Sequence, residues 1–170
     1  MANQTVVSSL IGANLSATGS TALFALGTVA NTDDGGVYEY VEATATYTTG
    51  QFVMLTPSGT ANNFITAKCV FTAIGIDIGA FQNTISQGEF GWVAKKGRSL
   101  YVLCTGTIAA SASVGLAAVA DGGGRLQIAT GVAVGHTLLG IYVTTSASTG
   151  TASVATGTLT WPRAIETAGG

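Results

Sequence analysis

The side chains able to do chemistry are few: eight Asp and Glu, six Lys and Arg, one His and two Cys in 170 residues. Nucleophilic catalysis needs a base held beside a Ser or Cys, and the one histidine, His136, sits inside the apolar stretch from Val132 to Val143. It reads as a core residue. No GxSxG elbow, HExxH pair or Walker A lysine occurs, and Gly122 Gly123 Gly124 runs into Arg125 Leu126, which suits a hairpin turn rather than a phosphate cradle. Spacing alone does not exclude a glycosidase-type carboxylate pair. Yet Asp33, Asp34, Glu39, Glu42, Glu89, Asp121 and Glu166 mostly lie in or beside turns, where a solvated acid is the default. Asp77 differs, being flanked by Ile76 and Ile78. On a half-exposed strand it faces water, and if buried it needs a partner such as Lys68 or Arg98. The reading is of a chain that is not an enzyme, with no catalytic, cofactor-binding or metal-ligating residue assigned.

Cys69 and Cys104 lie 35 residues apart without CxxC spacing or a nearby His, so a zinc site is unsupported and two buried free thiols are expected. Lys95 Lys96 Gly97 Arg98 is the one basic cluster. With Trp92 and Tyr101 nearby it has the ingredients of a small phosphate or nucleic-acid patch, but three charges in one turn read better as a solvated hairpin tip. Trp92 and Trp161 suit either a sugar-stacking platform or, for large aromatics in alternating strands, core and interface anchors.

The elements that must position these residues are strands. Charged residues are 8% of the chain, against about 25% in an average protein, while Gly, Ala, Thr, Ser and Val dominate. That composition suits strands and tight turns and is poor in surface-helix formers. So little ionised surface implies that some of it meets protein. The net charge of −2 is too small to steer the chain to a polyanion or an acidic membrane, so neither nucleic acid nor membrane is expected as a partner. The start of the chain lacks a basic n-region and a sustained apolar h-region, and the longest apolar run falls short of a membrane-spanning helix. Production in a cytoplasm is the expectation.

An all-β fold follows, a small antiparallel barrel or sandwich over residues 36–165, after an N-terminal arm at 1–35 and before a frayed 166–170. The arm is uncharged until Asp33 and carries scattered apolar residues, among them Phe24 and Leu26. It is too apolar for a disordered tail. It suits a segment that orders against another subunit, or strands packed on the chain's own core. Strands are expected at 37–43, 51–55, 63–66, 69–71, 73–78, 89–94, 100–104, 114–120, 125–129, 138–144 and 154–161, with turns at 33–36, 49–50, 57–59 and 95–98, and Pro162 as a stop.

Two stretches look like copies of one pattern. The first runs from Tyr38 through Val53, Leu55, Ser58 Gly59 Thr60, Phe64 and Ile65 to Ile74 Gly75 Ile76. The second runs from Tyr101 through Leu116, Ala118, Asp121 to Gly124, Leu126 and Ile128 to Leu139 Gly140 Ile141. Matching positions stand 63 residues apart at first and 65 by the Gly-Ile step, so a two-residue insertion reconciles them.

Over about residues 36–163 the chain resembles the capsid decoration, or cement, proteins of tailed bacteriophages. The resemblance rests on Val37 Tyr38 Glu39 Tyr40 Val41 Glu42 Ala43, Ile74 Gly75 Ile76, Glu89 Phe90 Gly91 Trp92 Val93, Leu139 Gly140 Ile141 Tyr142 Val143 and Trp161 Pro162 Arg163. It implies a β-rich structural protein on the outside of an expanded capsid, often a homotrimer, that bridges major capsid protein subunits. The arm would then interlock with a sister subunit or lie on the capsid floor through Phe24 and Leu26, with Trp92 and Trp161 as further interface candidates. The rival class is a phage or cell-surface adhesin that binds glycan through Trp92 and Trp161.

Overall fold

The computed structural model describes residues 14–58, 63–68, 77–105, 108, 116–118, 124–128, 136–145 and 152–166. Among them there is no helix, and the regular structure is ten strands of one mostly antiparallel sheet. In chain order these are β1 (Val29–Asn31), β2 (Val37–Ala43), β3 (Phe52–Ser58), β4 (Asn63–Lys68), β5 (Ile78–Phe81), β6 (Phe90–Cys104), β7 (Leu116–Ala118), β8 (Leu126–Ile128), β9 (His136–Val143) and β10 (Ser153–Glu166). The expected all-β class holds. The sheet does not close into one barrel, because β1 and β8 at its two ends do not pair with each other.

One pairing scheme is used twice, and β6 belongs to both uses. In the first unit β2 pairs parallel with β4, β4 antiparallel with β3, β3 with β5, β5 with β6, and β2 with β6. In the second unit β6 pairs parallel with β8, β8 antiparallel with β7, β7 with β9, β9 with β10, and β6 with β10. The registers match in detail: Tyr40↔Trp92 corresponds to Val102↔Ala155, and Thr56↔Ile65 to Ala118↔Leu126. The ladders therefore set the spacing at 62 residues for β2 onto β6 and 63 for β6 onto β10. The 65-residue step expected at Gly75 falls on residues outside those described, as do Gly59, Thr60, Cys69 and 121–123.

Two buried clusters hold the units. The larger takes Tyr38, Tyr40, Phe52 and Trp92 from the first unit and Val102, Leu126, Leu138 and Leu159 from the second, and so seals the seam between them. The smaller, with Val41, Tyr47, Val53, Leu55, Phe81, Ile85 and Val93, lies wholly in the first unit. Alternate residues of β2, β3 and β6 feed opposite clusters, so these strands are buried on both faces.

Two expected interruptions are absent. Lys95 Lys96 Gly97 Arg98 is not a turn: β6 runs through it for 15 residues. Gly97 at φ 149° and Ser99 at φ 53° bend the strand where β10 slips by one residue, so the signals read as a reversal are used for a bulge. Pro162 does not stop β10 either. The ladder to β9 passes from Leu159↔Ile141 to Arg163↔Leu139, leaving Thr160, Trp161 and Pro162 opposite Gly140 alone. In that bulge no ladder N–H is asked of the proline. Gly140 lies at φ 80°, and a Cβ there would stand 2.6 Å from the Thr160 carbonyl oxygen.

The stretch read as an arm is joined to the sheet from its first described residues onward. Gly19 bridges Phe90, the Leu23 amide donates to the Tyr40 hydroxyl, and β1 pairs with β2. Phe24 and Leu26, expected to anchor on another chain, pack on this chain's own core. Tyr40 and Trp92 offer aromatic surface beside β2 that the segment itself covers.

Candidate functional site

Three charged side chains converge at one end of the first unit. Glu39 lies on β2 between Tyr38 and Tyr40, and its side chain points to the same side of the strand as Val41, away from the seam. Lys95 is the extra residue of a bulge in β6, because Val37 pairs with Lys96 while Tyr38 already pairs with Ala94. A bulge re-aims a side chain, and here it turns the lysine inward. Asp77 precedes β5, where its carbonyl accepts from the Leu55 amide and its backbone bridges Arg163.

The Lys95 Nζ donates to Glu39 Oε2 and to Asp77 Oδ2, each at 2.9 Å. The lysine and glutamate side chains are 8% and 7% exposed, whereas that of Asp77 is 61% exposed. Trp161 lies over the ammonium, its ring centroid 5.6 Å from Nζ. Burial is the largest single influence on Lys95 and acts to lower its pKa, but the two carboxylates outweigh it and hold the pKa above the usual lysine value. The basic cluster expected to be a solvated hairpin tip is thus split. Lys95 is an interior cation, while Lys96 and Arg98 are exposed. Asp77 does take a cationic partner, and it is Lys95 rather than Lys68 or Arg98.

This trio was not legible in the residues singled out for chemistry, although Glu39 carried a signal. In Val37 Tyr38 Glu39 Tyr40 Val41 the alternation puts the acid on the same side as two valines, where an unpaired carboxylate is costly.

The aromatic candidates separate as well. Trp92 is buried in the seam, 5.0 Å from Tyr40 and 5.3 Å from Phe24 between ring centroids. Trp161 is 47% exposed in the β10 bulge. Trp92 therefore cannot share an open platform with it. Beneath residues 14–24 a cavity of about 400 Å³ is walled by Phe24, Tyr40, Phe90 and Trp92. Cys104 is a buried free thiol whose pKa burial pushes up to about 11. Among the described residues no cluster of His, Cys, Asp and Glu is arranged to hold a metal.

A different kind of surface occurs on the second unit. There β9 and β10 bury Leu138, Ile141, Val143, Ala155 and Leu159 and leave Leu139, Tyr142 and Val154 40–51% exposed. Thr144 and Thr156 bond to each other beside them, and Arg163, paired with Leu139, marks the charged end of this strip.

No protein-family model matches the chain, and no curated protein matches it in sequence.

Proposed function

We propose that the chain is a structural virion protein that binds the outer surface of an expanded phage capsid and bridges major capsid subunits there, as a homotrimer. The observation that carries this reading is the largely apolar strip of β9 and β10, with exposed Leu139, Tyr142 and Val154 set among threonines and Arg163 at one end. Apolar side chains held rigidly on a sheet and rimmed by hydroxyls suit a protein contact that loses little to salt. A ligand that contacts only the expanded lattice stabilises it by its differential affinity for the two states. The site of action would be the capsid exterior, after synthesis in the host cytoplasm. Glycan binding is the weaker reading, because buried Trp92 cannot stack on a sugar and Trp161 is left without its expected partner.

Co-sedimentation with expanded, undecorated heads of the phage that encodes the chain tests this. Saturable binding at a three-fold stoichiometry is expected, weakened at least about tenfold, or about 1.4 kcal/mol, by Tyr142→Ala with Val154→Asp. Failure of the folded wild-type chain to bind would overturn it.

A further inference from the structure

The Glu39, Lys95 and Asp77 trio is more than the fold requires. Its register counterparts in the second unit are Tyr101 for Glu39, Thr158 for Lys95 and Thr137 for Asp77, so the same strand pairing is completed there without an ion. A buried ion pair is a weak source of stability compared with neutral packing. What the trio adds is an amine and two carboxyls at contact distance, one carboxyl buried and one open to water.

The geometry points to a self-modification site: Lys95 Nζ and the Asp77 carboxyl condense to an intramolecular isopeptide bond, with Glu39 carrying the proton. A lysine becomes a nucleophile once its ammonium gives up a proton, and Glu39 accepts it along the 2.9 Å hydrogen bond. Burial lessens the cost of this transfer, but the two carboxylates together still favour the ammonium, so the neutral amine is a minor, transient state. Trp161 covers the amine while this happens. Glu39 hands this proton to an Asp77 carboxylate oxygen, which makes that carboxyl a neutral acid. The Nζ lone pair then attacks its Cγ, and the C–N bond forms as the C–O bond to the protonated oxygen breaks. Of the three ammonium hydrogens, one stays on the amide and two leave with the departing oxygen as water, the first of them through Glu39, which is regenerated. No oxidant, reductant or cofactor enters the balance. Asp77 is the acceptor because its exposed carboxyl can release water, and Glu39 the relay because it is buried. Fixed proximity supplies the effective concentration that free amine and acid lack in water.

The cross-link would tie the start of β5 to β6 independently of what the chain binds. Intact mass of the purified full chain under denaturing conditions is the test, with tandem fragmentation of the digest. The folded wild-type chain is expected one water lighter than its residue sum, with a peptide joining Lys95 to Asp77. Glu39→Gln and Asp77→Ala, each checked for a cooperative melt, are expected at full mass. Full residue-sum mass in the folded wild type after prolonged incubation would overturn the proposal. So would a water loss that persists in Lys95→Arg, since a succinimide at Asp34 before Gly35 has the same mass change, and so would a Lys95 to Glu39 linkage.

Discussion

In the first unit β2, β3 and β5 are buried on both faces, whereas the second leaves the outward side of β9 and β10 open, although the two share one pairing scheme and the strand β6. The side chains at matched positions account for the contrast. Tyr40, Trp92 and Phe90 of the first unit give way to Val102, Ala155 and Ser153 in the second, and the charged trio to Tyr101, Thr137 and Thr158. Backbone hydrogen bonding sets the scheme, and side chains decide which faces are closed. A duplicated architecture can thus keep one copy as a closed core and offer the other as surface.

The sharpest way to break this comparison is to truncate one side chain in each unit. Phe81 is fully buried and stacked on Tyr47 at 5.2 Å, so Phe81→Ala should cost about 3–5 kcal/mol in chemical denaturation. Tyr142→Ala should stay within about 0.5 kcal/mol. Equal losses would mean that the second unit's outward side is packed in the isolated chain.

Charge supplies the next contrast. Lys95→Ala strands a buried Glu39 and should cost about 3–5 kcal/mol, against about 0.5 kcal/mol for its counterpart Thr158→Ala, read from the same denaturation curves. A harmless Lys95→Ala would make the trio as dispensable as its neutral counterpart.

The bulge opposite Gly140 gives a smaller effect. Gly140→Ala forces a side chain into φ 80° and towards the Thr160 carbonyl, for about 1–3 kcal/mol in thermal or chemical unfolding. Ala80 of β5 pairs with Ala94, so along this ladder its counterpart is Val143 rather than Gly140, and it carries its Cβ fully buried without a bulge. Ala80→Gly should cost about 0.5–1 kcal/mol, through backbone entropy.

The smallest effect is on pH dependence. Cys104 stands where the first unit has Glu42, and its thiol pKa is raised from 9.0 to about 11 by burial. The folded chain therefore holds this proton more tightly than the unfolded chain. Its contribution is intact below about pH 9 and is lost as pH rises towards about 11. Denaturation midpoints across that window should fall less steeply for Cys104→Val than for wild type, and identical slopes would count against the burial argument.

Much of the strand content was readable from pattern. Val37 to Ala43 alternates between the two clusters, the run from Phe52 is buried on both faces, and Asp34 Gly35 Gly36 makes its turn with Gly35 at φ 81° and the Thr32 hydroxyl bonded to Asp34. These are local properties, set by side-chain parity and by which residues tolerate positive φ. Lys95 to Arg98 and Pro162 misled because a charged Gly-containing run and a proline carry the same local signal in a turn as in a bulge. Only the partner strand's slip distinguishes them.

The sequence by itself determined the all-β class, the turns that need glycine, the scarcity of surface charge and the existence of a repeated pattern. Tertiary structure alone decided that the repeats share β6, that Phe24 closes over Tyr40 and Trp92, and that Lys95 meets Glu39 and Asp77 across gaps of 56 and 18 residues. The physical reason is range. Local conformational preference is written in neighbouring residues, but burial and ion pairing depend on which distant strand arrives alongside, and a one-residue bulge is enough to turn an exposed lysine inward.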